Sequence, residues 1–205
     1  GNITSRIDAS DIESIEVIKG HSATLFGSAL TSYGGLINRI TKKPYDKFGG
    51  EISYSTGNYS FNRVAADINT PLDSAKTVLF RMNTAYNYQG SFRDNGFDKG
   101  YVIAPSLSVK VNDRLSFSFD AELYNGSNTS LPIIFFYFPT SQLNATNPKE
   151  LGVDYKRSYS AQDIFQVSKN NNFFGQMNYK LSDQWRSQTN FTSTNSFSDG
   201  PYAYF

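Results

Sequence analysis

Ile12-Glu-Ser-Ile-Glu-Val-Ile-Lys-Gly-His-Ser-Ala-Thr-Leu-Phe-Gly27, followed by Tyr33-Gly-Gly-Leu-Ile-Asn-Arg-Ile-Thr-Lys-Lys-Pro44, is the stretch that decides how this chain is read. Ile12, Ile15, Val17 and Ile18 make a β-rich segment that stops at Lys19-Gly20. Leu36, Ile37 and Ile40 make a second, which stops at Pro44 because a proline nitrogen cannot donate to a ladder. Gly20, Gly27, Gly34 and Gly35 sit where the backbone must turn sharply or pass close to another segment. The stretch therefore predicts two short strands separated by glycine-controlled turns.

Downstream of Phe48 the pattern changes to long two-residue alternation broken by turn formers. Ile52 and Tyr54 oppose Glu51, Ser53 and Ser55; Val64, Ala66 and Ile68 oppose Arg63, Asp67 and Asn69. Lys76 to Gln89 is the clearest strand, with Val78, Phe80, Met82, Tyr86 and Tyr88 on one face and Arg81, Asn83, Asn87 and Gln89 on the other. Tyr101–Val111, Leu115–Tyr124, Phe173–Leu181 and Trp185–Ser196 complete the set. At about 3.3 Å per residue the longest could cross a tilted hydrocarbon layer, whereas soluble strands have a mode of about five to six residues. Thr70–Ser74, Asn112-Asp113 and Ser182-Asp183 are short connections; Gly90–Gly100 and Asn125–Asn170 are long ones. That alternation of short turns and long loops is the pattern of bacterial outer-membrane barrels.

Composition fits this reading. Of 205 residues, 39% are hydrophobic, and no run approaches the roughly 18 apolar residues of a spanning helix. Membrane strands face lipid and lumen alternately and so average out as polar. Fourteen Tyr and 17 Phe would serve the aromatic girdles of such a barrel. A net charge of +1 gives no reason to expect nucleic acid. With no cysteine and only His21, neither a disulfide framework nor a thiolate metal site is available. No Ser-His-Asp spacing, phosphate loop or metal-ligand motif is visible, so the chain is not expected to be an enzyme.

The opening stretch resembles the end of the plug domain of TonB-dependent outer-membrane receptors, where Ile-Glu-Val-Leu-Lys-Gly-Pro-x-Ser-x-Leu-Tyr-Gly is followed by Gly-Gly-x-Ile-Asn and Thr-Lys-Lys-Pro. The matching residues are Ile15–Gly20, Leu25–Gly27, Gly34–Asn38 and Thr41–Pro44. His21 replaces the usual proline, and Ser28–Tyr33 is slightly longer than in ferrichrome-type siderophore receptors, which the chain otherwise resembles in strand spacing and loop order. The resemblance implies an all-β transmembrane fold, a fragment of a 22-stranded antiparallel outer-membrane β-barrel with part of its internal plug. Residues 1–46 would be the C-terminal part of the plug and 47–205 the first seven barrel strands. No signal peptide is visible and the TonB-contacting segment would lie upstream, so the chain would begin partway through the plug.

The implied function is uptake of ferric siderophores in the outer membrane of a Gram-negative bacterium, with ligand captured at the extracellular loops and plug apex. Iron would enter only as a chelated ligand, with no intrinsic cofactor; the TonB-ExbB-ExbD complex and the lipid bilayer are the implied partners, and a paired surface lipoprotein would favour glycan import instead. Leu131–Pro139 is an apolar, aromatic run in the long loop that should cover something. By position, Phe135, Phe136, Tyr137 and Phe138 are candidate ligand contacts; packing against plug or neighbouring loops is their bland role. Phe26 stands at the family's plug tyrosine, and Tyr33 could supply the hydroxyl it lacks. Arg63, Arg81, Asp67, Asp120 and Glu122 fall on the inward faces as a polar network, with Arg39 as a partner. Asp11, Glu13 and Glu16 read as solvated or paired with the wall. Glycan import and a non-transporting scaffold or adhesin are the rival readings.

Overall fold

The computed structural model describes residues 8–19, 35–129, 139–142, 144–147, 149–152, 154, 156–158, 161 and 163–201. β1 (Ile12–Lys19) and β2 (Gly35–Thr41) form a two-stranded antiparallel sheet, with Val17 opposite Ile37 and Glu16 opposite Asn38. Residues 42–48 lead from it into a seven-stranded antiparallel sheet in which every strand pairs with its neighbour in sequence. Its strands are β3 (Gly49–Gly57), β4 (Phe61–Pro71), β5 (Val78–Gly90), β6 (Phe97–Lys110), β7 (Leu115–Thr129), β8 (Phe165–Lys180) and β9 (Arg186–Asp199).

Turn chemistry sets the register. Asp73 accepts from the amides of Thr77 and Val78 at 3.1 and 2.7 Å, closing the β4–β5 connection. Asn112 Oδ1 does the same for Arg114 and Leu115 at 2.8 and 2.9 Å. At the opposite end of the sheet, the β3–β4 turn places Tyr59 and Ser60 at φ of 57° and 56°, so its centre falls after the Gly57-Asn58 step that the sequence suggests. Strands 6 to 9 run further toward the long-loop end than their apolar alternation. Thus β7 continues through Asn125–Thr129, β8 begins at Phe165 and β6 at Phe97, and these residues are strand where loop was expected.

The sheet is inside-out by the standards of a soluble protein. Among the described residues only Ala85, Val102, Ala104 and Tyr124 are buried hydrophobics, whereas Asn69, Asn83, Ser106, Glu122 and Asn170 are buried polar residues. The opposite face leaves Ile52, Val64, Tyr86, Phe119, Phe173 and Phe191 exposed. An apolar strip of this extent across successive strands is unfavourable in water and favourable in hydrocarbon. Among the described residues no helix is long and apolar enough to cross a membrane, which says nothing about crossing with strands.

Candidate functional site: the polar seam between hairpin and sheet

The two-stranded unit and residues 42–48 lie against the inward face of the sheet, held by side chains that the strand alternation points there. Arg63 of β4 grips Asp8 with its two terminal guanidinium nitrogens, Nη1 and Nη2, at 2.8 and 2.7 Å. Asp67, two pairs further along the strand, accepts from Arg81 Nε and Nη2 at 2.9 and 2.8 Å and from Lys42 Nζ at 3.0 Å. Arg81 also donates to the Lys43 carbonyl at 2.9 Å. Fork geometry of this kind makes an arginine–carboxylate pair strong and directional. Asn83, with its amide nitrogen turned to Asp67, donates there at 3.1 Å and to the Ser10 carbonyl at 3.2 Å.

The seam continues across β6 to β8. Lys43 Nζ meets Asp120 at 2.6 Å, and Ser106 donates to the other oxygen of Asp120 at 2.6 Å. Glu122 is paired with Arg39 at 3.6 Å and accepts from Asn172 at 3.0 Å. Below, Asn69 is fully buried and fixes the entry into β3: it accepts from the Tyr45 amide at 2.9 Å and donates to the Tyr45 and Lys47 carbonyls at 2.8 and 2.6 Å. These are irregular backbone groups that no ladder could satisfy.

Asp11 departs from expectation. It is buried, not solvated, and its Oδ1 has no hydrogen-bond partner. Burial and the neighbouring Glu122 carboxylate push its pKa up to about 6. Asp8 goes the other way: burial raises it, but the Arg63 guanidinium and the Ser10 amide outweigh that and hold it below the ordinary carboxylate range. Glu16 stays on the exposed side and accepts from Asn38 at 3.1 Å.

Of the residues singled out in the sequence, the inward set Arg39, Arg63, Asp67, Arg81, Asp120 and Glu122 is brought together in one seam. Phe26, Tyr33, Phe135, Phe136, Tyr137, Phe138 and His21 lie outside the described residues. Sequence reasoning missed Asp8, Lys42 and Lys43, because an irregular segment has no period to reveal its facing. Among the described residues no group of three or more His, Asp or Glu is placed to hold a metal ion.

Polar residues turned inward onto a seated hairpin, with apolar residues turned outward along every strand, define a section of a membrane barrel wall carrying part of an internal closure. No protein-family model matches the chain. It is 34% identical over 116 residues to the metal-pseudopaline receptor of Pseudomonas aeruginosa, a match covering 57% of this chain and 16% of that protein. It is 30% identical over 130 residues to the ferrioxamine B receptor of Salmonella typhimurium, covering 62% of the chain and 18% of the relative. The pyoverdine outer-membrane receptor of P. aeruginosa superposes on 95% of this chain and 28% of its own with a TM-score of 0.79, at 22% identity, a likeness of fold. These likenesses support the resemblance of the opening stretch to TonB-dependent outer-membrane receptors, in a broad siderophore-receptor group rather than the ferrichrome type alone. It spans less than a fifth of the length of the two curated relatives named above.

Proposed function

We propose that this chain is the plug-terminus and first-wall section of a transporter that carries metal chelates, ferric siderophores foremost, across the outer membrane. The observation that carries the reading is the identity to two receptors named for metal-binding chelates, one for metal-pseudopaline and one for ferrioxamine B. The inward ion pairs supply the matching physical element, a closure held to the wall by charge rather than by an apolar core. Metal enters already wrapped in its chelator, the protein reads the chelator's surface, and no resident cofactor or catalytic group takes part. Residues 1–46 act as the end of the plug, and the TonB-ExbB-ExbD complex drives its rearrangement. A polar seam suits that task, since ion pairs broken by displacement can be rehydrated as the plug moves.

In this reading the aromatic run Phe135–Phe138, with Phe26 and Tyr33, receives the ligand at the extracellular mouth. Calorimetry of the longer receptor with a panel of ferric siderophores, metal–opine chelates and oligosaccharides tests it, alongside a Phe135→Ala/Phe136→Ala variant. Tight binding of one metal chelate, weakened at least about tenfold in the variant, is expected. Binding of a glycan alone would overturn the substrate class, and equal affinity in the variant would overturn the site.

A further inference from the structure

The outward face carries a feature that the transport reading does not use. Across the sheet, Phe80, Leu107, Phe119, Gly175 and Phe191 are successive register partners from β5 to β9. Gly175 interrupts this row of large apolar side chains. On the adjacent strand, Ala121 stands opposite Phe173, one position further along. The result is a groove of about 580 Å³ floored by Gly175 and Ala121 and walled by Phe119, Phe173, Met177 and Phe191. Phe117 and Phe119 stack with ring centroids 6.3 Å apart, which stiffens one wall.

Three observations limit what can occupy it. It runs from the inner strands to Phe191 on the edge strand β9, so further strands of the barrel, which add in the plane of the sheet beyond Phe191, extend that wall without covering the floor at Gly175 and Ala121. It lies on the face opposite the ion-paired seam, so the hairpin cannot fill it either. It is continuous with the apolar strip that faces hydrocarbon, and it sits near the short-turn ends: Phe117 is close to the start of β7 and Met177 close to the end of β8. Trp185 and Leu181, both exposed, lie just beyond those ends, as the interfacial aromatics of a barrel do at its short-turn, periplasmic side.

We propose that this groove seats one acyl chain of a glycerophospholipid from the inner leaflet of the outer membrane, held more tightly than the lipids around the rest of the wall. The chemistry is that of an unbranched, flexible hydrocarbon entering a slot made by a missing side chain between aromatic walls. Dispersion contacts on three sides replace the single-sided contact that a flat lipid-facing strand offers. A Cβ built on Gly175 would lie 3.7 Å from Phe191 and 3.8 Å from Phe119, an ordinary contact distance. A larger side chain there fills the groove without requiring the strand to move.

The proposal rests on the outer-membrane barrel reading and is tested with the longer receptor in phosphatidylethanolamine/phosphatidylglycerol nanodiscs. The probe is a phospholipid carrying a photoreactive diazirine midway along one acyl chain. Crosslinks are expected to concentrate on peptides covering 117–121 and 173–177, about fivefold above those covering 62–68, the advantage that one or two extra buried methylene groups confer. Gly175→Leu should remove that excess and Gly175→Ala should reduce it, while Ala66→Leu, which fills a small outward position on β4, should leave it intact. Folding of each variant is read from the mobility difference between heated and unheated samples on gels. An inserted barrel with even labelling along β3–β9, an undiminished peak in Gly175→Leu, or a protein crosslinked there in place of lipid overturns this proposal alone. A receptor with no heat-modifiable form overturns the barrel reading and this proposal with it.

Discussion

Asp11 is held where a carboxylate is least at ease, buried beside Glu122 with one oxygen unpartnered. Its pKa of about 6 in the seated hairpin lies above the ordinary 3.8, so the seated state binds a proton more tightly than the released one. The resulting stabilisation is fully present below about pH 4 and is lost as pH rises through about 6, with a magnitude on the order of 1–3 kcal/mol. Asp8 has the opposite sign: with its pKa held below the ordinary 3.8, its pairing with Arg63 stabilises above that value and fades as pH falls further. The seam should therefore be tightest near pH 4–5, where Asp11 is protonated and Asp8 ionised. Hydrogen exchange of the Ile12–Lys19 and Gly35–Thr41 amides in the longer receptor, corrected for intrinsic rates, should show protection falling between pH 5 and 7. Asp11→Asn should flatten that dependence and raise protection at pH 7. An unchanged profile in Asp11→Asn would remove Asp11 from the account.

Tyr124 ties together the middle of the sheet at the scale of strands. It is an inward residue of β7 that lies over Gly126 on its own strand and Gly100 on β6, and these two glycines are register partners. A Cβ at either glycine would overlap the phenol ring, so the aromatic covers backbone that glycine leaves bare. Gly126→Val should cost about 1–3 kcal/mol through overpacking. Urea unfolding of the barrel should show that the same change costs much less in a Tyr124→Ala background, and equal costs in both would show that the ring is not the cause. The strands themselves were legible in the sequence wherever one face was apolar, as from Val78 to Tyr88. They were not legible where both faces are polar, as in Asn125–Thr129 and Lys169–Asn172, because alternation disappears once a strand leaves hydrocarbon. The wall's half of the seam was legible for the same reason: Arg63, Asp67 and Arg81 are charges on a face whose reverse is apolar. Asp8, Lys42 and Lys43 needed the fold, since nothing local says which way a coil residue points.

For the whole molecule, the distribution of polarity is itself the argument. A soluble sheet of this size would bury Val64, Tyr86, Phe119 and Phe191 and expose Asn69, Asn83 and Glu122, and the chain does the reverse. The two faces should therefore respond oppositely to the same substitution. Phe119 is an outward residue beside Gly175 in the cross-strand row; Gln176, the next residue on β8, points inward and donates to Asn178 at 3.0 Å. An arginine at the lipid-facing position is expected to cost about 2–4 kcal/mol if it lies near the bilayer midplane, declining toward either interface. The same arginine at the inward position meets water and the carboxylates of the seam and should cost far less. Equilibrium unfolding of the longer receptor in thin-bilayer vesicles should rank Phe119→Arg well below wild type and Gln176→Arg close to it. The reverse order would be incompatible with this face meeting lipid, because hydrocarbon cannot solvate a guanidinium that the polar inward face can pair or hydrate. Repeating the measurement in high salt separates the two sources of cost: the seam's ion pairs are screened, whereas the price of placing a charge in hydrocarbon is not. A salt-independent deficit for Phe119→Arg is the expected result.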